Sequence, residues 1–329
     1  MKNLKNKKHQ HYVPQFYLNL WVSSGVFFVK NSMGVEPKTY PKKTTVDVGE
    51  ENYFYAIEMD EVVWDMLSYR FGEEAKSNPV VALVMQEFFR LKAMDDVAVR
   101  GVGIVNNDDA LRENARGILA YLKKHHLEDA YSNIEGAVSI EIESFSRSQE
   151  SDVWVPPSGD TFMHVLVFFC FQSFRTKSCI DNLDLQISQM SLKRGAESVD
   201  LTPEQKRSVL KCMLYVFSFQ MCQRIYESGC TMNIMKNKTN LNYLTSDSPA
   251  VYFDSSVLGA GVESYGIMPL SPKLLVHINV NDGDVPRGSE LKIFDVHDLV
   301  FVKEVNKRIE SHSHNFVFAK NMNDFCWQE

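Results

Sequence analysis

Two long segments of the chain are apolar on almost every side, and they set the first expectation for its architecture. Between Asp160 and Thr176, Phe162, Met163 and the unbroken run Val165–Phe171 leave no face suited to water. A helix with that pattern is buried within the protein. Met213 to Cys222 repeats the texture inside a better-marked segment. There Thr202 with Gln205 forms a capping box, Pro203 takes the first helical position, and Gly229 follows the end. Further helical patterns run from about Glu58 to Phe71, from Pro79 to Met94, and from a cap at Asp108 or Asp109 to about His126. A last helix is predicted from Asp295, with Asp298 in its first turn and Leu299, Val302, Val305 and Ile309 facing the core. Asn306 shares that face, so its amide needs partners.

Strand patterns lie outside this helical centre. Val26–Lys30 and Lys38–Thr45 flank a turn at Asn31–Gly34. Thr231–Met235, Leu241–Thr245, Ala250–Phe253 and Leu274–Ile278 are separated by Asn, Asp, Gly and Pro clusters, and Phe316 and Phe318 alternate as a closing strand. The fold class predicted is α+β: a helical central layer with a mixed or antiparallel sheet built from N- and C-terminal strands. A basic flexible arm over residues 1–8 precedes a single domain over 9–329, helical at about 58–229 and strand-rich from about 230. Residues 281–290 form a turn-rich stretch.

The polar exceptions within the first apolar rod are informative. At 100° per residue, His164 and Arg175 lie about 20° apart around the axis, and Gln172 lies about 80° from His164. Three polar groups thus share one stripe. A buried arginine without a partner is too costly to keep. Arg175 therefore meets a carboxylate, several carbonyls or an anionic ligand, or sits at an exposed helix end.

Charge adds an asymmetry. Residues 1–43 hold eight Lys against one Glu, so the whole-chain charge of −7 leaves the remainder at −14. A basic arm on an acidic body engages a polyanion locally, while the overall field repels long nucleic acid. The six cysteines, Cys170, Cys179, Cys212, Cys222, Cys230 and Cys326, form no C-x-x-C, and most sit in apolar runs. That pattern predicts buried free thiols in a reducing compartment. The longest apolar run is too short to span a bilayer, and no apolar stretch follows the basic N-terminus as a signal peptide requires. A soluble, cytoplasmic protein with no membrane partner is expected.

Four separated phrases carry a resemblance: His11-Tyr-Val-Pro-Gln-Phe-Tyr-Leu18, Phe171-Gln-Ser-Phe-Arg-Thr176, Thr245-Ser-Asp-Ser-Pro249 and Pro269-Leu-Ser-Pro272. Val305-Asn306 is a weaker fifth. Together they resemble the bacterial domain-of-unknown-function family numbered 4238, from about residue 9 to about residue 319. The resemblance implies a fold and a set of marked positions, and no activity. Those positions fall on His11, Pro14, Tyr17, Arg175, Asp247, Pro249 and Asn306. Family members often place proline after the Arg-Thr pair. Lys177 stands there in this chain, which predicts that the helix extends slightly further.

Several constellations could carry chemistry. His11, Asp247 and Arg175 are the catalytic candidates, and Lys7, Lys8, Tyr17, Gln172 and Asn306 the substrate-binding ones. An imidazole that transfers a proton, a carboxylate that orients it or holds a divalent cation, and a guanidinium that neutralises developing charge suffice for phosphodiester chemistry. Asp247 before Pro249 also fits a plain Asx-turn, and His11 also fits a histidine bonded to a backbone carbonyl. A divalent metal is a candidate cofactor, and His9-x-His11 with His312-x-His314 is a candidate zinc set. Lys2, Lys5, Lys7 and Lys8 beside Tyr12, Phe16 and Tyr17 suit single-stranded nucleic acid. No P-loop, G-x-G-x-x-G behind a strand, G-x-S-x-G or H-E-x-x-H occurs.

These residues point first to a nucleic-acid hydrolase, a nuclease of bacterial toxin or phage-defence type. Two alternatives stand beside it. One is a non-catalytic sensor or scaffold that binds a protein partner through the arm. The other is a nucleotide-cofactor-dependent transferase with His11 and Tyr17 shaping the pocket. Nucleic acid and another protein are thus the candidate partners.

Overall fold

The computed structural model describes residues 8–33, 37–100, 109–147, 159–189, 193–194, 197–198, 200–253, 264–280 and 290–326. In chain order the elements are β1 His9–His11, α1 Gln15–Leu18, β2 Phe27–Asn31, β3 Lys38–Lys42, β4 Glu50–Asn52, α2 Glu61–Phe71, α3 Pro79–Asp95 and α4 Asp109–Arg147. They continue with α5 Gly159–Phe174, α6 Lys177–Gln189, β5 Lys193–Arg194, β6 Glu197–Ser198 and α7 Pro203–Ser228. The last are β7 Cys230–Asn237, β8 Thr245–Ser246, β9 Val251–Phe253, β10 Ser264–Ser271, β11 Leu274–Val280, β12 Glu290–Val296, α8 Leu299–His312 and β13 Phe316–Ala319. The fold is α+β. It forms two compact units, one from residues 1–10, 51–133 and 179–220, the other from 11–50, 134–178 and 221–329.

The first unit is mainly helical. Asp60 caps α2 by accepting from the Val63 amide at 3.0 Å. Asn78 caps α3 by accepting from the amides of Val80 and Val81, with Pro79 at the first position. Thr202 and Gln205 bond reciprocally, 3.0 and 3.2 Å, at the start of α7. Side-chain oxygens of this kind satisfy amides that have no partner within the helix. Gln205 also donates to the second carboxylate oxygen of Asp60 at 2.7 Å, tying two helix starts together. The core is aromatic: Tyr131 packs on Tyr55 at 4.6 Å and on Tyr215 at 5.8 Å between ring centroids.

Among the described residues, two sheets lie in the second unit. One is a four-stranded antiparallel sheet in the order β3-β2-β13-β8, so N- and C-terminal strands do share a sheet. The other, β12-β7-β11-β10-β9, is mixed because β12 runs parallel to β7. Val302, Val305 and Ile309 of α8 pack with Tyr243, Leu275 and Val317 in a continuous core. Gly266 of β10 is required by a close approach. A Cβ there would stand 2.4 Å from the ring of the buried Phe169 on α5. Gly229, at φ 76°, closes α7 in the left-handed conformation that favours glycine.

Several expected boundaries move, each for a local reason. The last helix starts at Leu299 with Asp298 as its cap, not at Asp295. Asp295 belongs to β12, opposite Lys236 of β7, and Leu299 is 45% exposed rather than core-facing. The helix from Asp109 runs to Arg147, well beyond His126. No proline interrupts it, and Gly136 sits where a Cβ would meet nothing, so nothing local stops the ladder. The rod α5 ends at Phe174 and a separate helix begins at Lys177, so Lys177 opens a new helix rather than prolonging the old one. Of Leu241–Thr245, only Thr245 joins a ladder. Side chains take the place of a strand partner upstream, as Asn306 bonds the Leu244 amide and the Asn242 carbonyl. The predicted turn at Asn31–Gly34, the arm before Lys8 and the stretch 281–289 reach into or lie in residues outside the described set.

Candidate functional site

His11 and Arg175 come together in the second unit. Arg175 follows the end of α5, where its Nη2 donates to the His11 carbonyl at 2.7 Å and its Nε to the Tyr12 carbonyl at 3.3 Å. The same Nη2 lies 2.7 Å from Oε1 of Glu135 on α4. Of the partners the sequence allowed for this arginine, a carboxylate and two carbonyls are the ones found. Two of the three stripe residues, His164 and Arg175, thereby find partners. His164 Nδ1 is 3.1 Å from Glu141, which also accepts from Thr161 at 2.8 Å. Glu135 and Glu141 both project from α4, so these two residues meet carboxylates of one helix.

The His11 ring is half-buried, with Nδ1 3.3 Å from the Val48 carbonyl. Burial lowers its pKa from the usual histidine value, outweighing the carbonyl contact and the nearby Glu50 and Glu135 carboxylates. The strand around it is held by Gly49, whose carbonyl accepts from the amides of Tyr12 and Val13. Gly49 has φ 65°, and a Cβ on it would stand 2.9 Å from Val13.

Asp247 belongs to the same unit and lies just after β8. Its two carboxylate oxygens accept from the amides of His314, Asn315 and Phe316 at 2.8, 2.8 and 3.1 Å. Those amides form the link from α8 into β13. The Asp247 pKa is nevertheless raised, because burial outweighs the three N–H groups. Asn306 is likewise occupied, by Leu244 and Asn242. The Tyr17 hydroxyl donates to the Pro269 carbonyl at 2.6 Å and meets Thr245 Oγ1 at 2.6 Å, and burial pushes its pKa up. These three residues tie β8, β10, β13 and α8 into one framework, which accounts for the phrases that carry them. Gln172 is fully buried, and neither of its amide atoms has a hydrogen-bond partner. Lys8 is exposed, and Lys7 lies outside the described residues. Among the described residues no group of three or more His, Cys, Asp or Glu side chains is placed to hold a metal ion, so the four-histidine set does not assemble.

The first unit carries a feature that the sequence reading did not single out. A cavity of about 450 Å³ is lined by Tyr53, Ala56, Ile57 and Glu58, by Ala120, Lys123 and Lys124 of α4, and by Glu204, Arg207, Ser208 and Lys211 of α7. The available signal was two cations four residues apart on one capped helix, Arg207 and Lys211.

An α+β chain whose marked positions are framework residues of a two-sheet unit is the class these observations define. The family model described as "Protein of unknown function (DUF4238)" matches residues 9–323, and the chain belongs to that family. No curated protein and no solved structure matches it. Among the described residues no helix is long and apolar enough to cross a membrane.

Proposed function

We propose that the protein is a hydrolase of nucleic acid, of bacterial toxin or phage-defence type, with the His11 imidazole as its proton-transferring group. The observation that carries this reading is the condition of that ring. It is half-buried against the Val48 carbonyl, and burial lowers its pKa, so it is neutral near pH 7 and suited to accept a proton. Arg175 enters as a positioning residue that fixes the strand through the carbonyls of His11 and Tyr12. Lys7 and Lys8 supply positive charge next to His11 in sequence. Asp247 and Asn306 enter through the framework they bond. The buried free thiols Cys170, Cys212, Cys222 and Cys230 support a reducing, cytoplasmic setting. The test is incubation of the purified chain with single-stranded and duplex RNA and DNA across divalent metals. Cleavage that disappears in His11→Ala, with unchanged circular dichroism, is expected. Substrates left intact under every condition remove the reading.

A second reading, a module that binds a protein partner, draws on a different observation. Leu83 and Phe89 of α3 are 65% and 50% exposed and line an apolar groove with Trp64 and Pro79. Monomeric proteins rarely leave contiguous apolar patches open to water without use. A pull-down that loses its partner on Leu83→Asp and keeps it on His11→Ala favours this reading over hydrolysis.

A further inference from the structure

The cavity of the first unit concentrates cations in a way its own carboxylates do not balance. Four cationic side chains line it, Lys123, Lys124, Arg207 and Lys211, against two carboxylates, Glu58 and Glu204. Lys123 is matched internally: its Nζ lies 2.5 Å from Glu58 and 3.1 Å from Asp95. Burial pulls its pKa down, but these two carboxylates outweigh that and leave it raised. Lys124 is exposed, its Nζ 5.0 Å from the centre of the Tyr53 ring. Arg207 reaches Asp181 only at 3.9 Å.

Lys211 differs from the others. Its Nζ donates to the Ala56 carbonyl at 2.7 Å, and among the described residues no carboxylate pairs with it. Burial first, and then the Arg207 guanidinium one turn earlier, lower its pKa to about 8. Like charges at this spacing repel, and the Glu51 carboxylate offsets the burial of Lys211 only in part. Both residues nevertheless face the same cavity. Ser208 Oγ, between them in sequence, accepts from the Glu58 amide and donates to the Glu204 carbonyl. It braces the wall and leaves Lys211, held by a carbonyl alone, beside the Arg207 guanidinium, whose one ion pair is the long contact to Asp181. At about 450 Å³ the cavity lies within the ordinary range for small-ligand sites.

We propose that this cavity binds a phosphate monoester, with the phosphate held between Lys211 and Arg207 and the rest of the ligand directed toward Tyr53. Guanidinium and ammonium groups are the usual donors to phosphate oxygens, and a dianion offsets the excess charge of the lining. The site uses none of the residues assigned to hydrolysis above.

Calorimetric titration of the full chain with inorganic phosphate, adenosine 5′-monophosphate and adenosine is the test. Phosphate and the monophosphate are expected to bind, and adenosine is not. Arg207→Met and Lys211→Met are each expected to weaken binding by at least about tenfold. Lys211→Arg keeps it, and circular dichroism verifies that the variants are folded. Between about pH 7 and about pH 9 the wild-type affinity falls as Lys211 loses its proton, and in Lys211→Arg it does not. The other titratable and charged groups near Lys211 are Arg207, Cys212 and Glu51, with Lys123, Lys124, Glu58, Glu204 and Tyr53 on the cavity wall. The arginine variant separates the Lys211 titration from all of them. A 5′-phosphorylated oligonucleotide that binds as tightly as the monophosphate identifies nucleic-acid ends as the source of the group, and one that fails to bind identifies a small molecule. No phosphate binding at millimolar concentration, or binding unchanged in both Met variants, overturns the proposal. Because binding is read directly, the result stands whether or not the chain cleaves nucleic acid.

Discussion

Arg175 and Glu135 form an ion pair at 2.7 Å in which the guanidinium is 1% exposed and the carboxylate 22%. The arginine also closes two backbone carbonyls, at His11 and Tyr12. Removing it therefore strands three acceptors, whereas removing the glutamate charge strands one donor that still has carbonyl partners. Arg175→Met is expected to lower the unfolding free energy by about 3–5 kcal/mol and Glu135→Gln by only about 1–2 kcal/mol. Urea denaturation of both variants and of the double variant measures this, with a coupling term as the signature of the pair. Equal losses in the two single variants contradict the anchor role.

Asp247 is expected to matter for folding in any test of catalysis. Asp247→Ala removes the carboxylate acceptor of three half-buried amides at 314–316, a loss of roughly 2–4 kcal/mol after allowing for the carboxylate no longer being buried. Hydrogen exchange then shows those amides deprotected in the alanine variant. Full protection of all three rules out the bracing role.

Gly266→Ala forces a methyl group against the Phe169 ring. Overpacking of this kind costs about 1–3 kcal/mol. Shortening the obstacle recovers part of the loss, so Gly266→Ala with Phe169→Leu is expected to be more stable than the sum of the single changes. Additive single effects indicate that the strand and helix α5 separate freely.

Lys211 makes stability depend on pH in the alkaline range. Its folded pKa of about 8 lies below the ordinary 10.5. The folded state thus binds this proton less readily than the unfolded state. The penalty is fully present below about pH 8 and fades as pH rises toward 10.5, where the unfolded lysine also loses its proton. Relative to Lys211→Met, the wild type is therefore expected to gain stability across that window. A difference in melting temperature that is flat with pH contradicts the burial of the ammonium.

The elements most readable from sequence were those whose signals are local. The capping box at Thr202 and Gln205, Pro79 at a helix start and Gly229 at a helix end all act within one turn, and all three hold. The polar stripe on α5 was equally local, but its partners Glu135 and Glu141 stand on another helix and carry no mark in the sequence. Where a strand was expected at Leu241–Thr245, only Thr245 pairs, and the competing partner upstream was the Asn306 amide, some sixty residues on. β10 went unread because Gly266 and Pro269 mimic a turn. The glycine instead admits Phe169, and the proline supplies a carbonyl to Tyr17. The residues that carry the family resemblance proved legible as positions. Their roles were not, because Asp247, Asn306 and Tyr17 bond backbone groups that no spacing rule connects to them.

The way the chain divides between its two units bears on how it is made. Every residue of the first unit has been synthesised once position 220 is reached. The β2–β3 hairpin of the second must wait for β13, nearly three hundred residues after it begins, before its open edge is covered. Translation thus finishes one unit early and leaves an unpaired strand edge of the other waiting for β13. Unpaired edges are where nascent chains cross-associate. A premature stop before Phe316 would therefore damage the solubility of a protein whose helical unit is already complete.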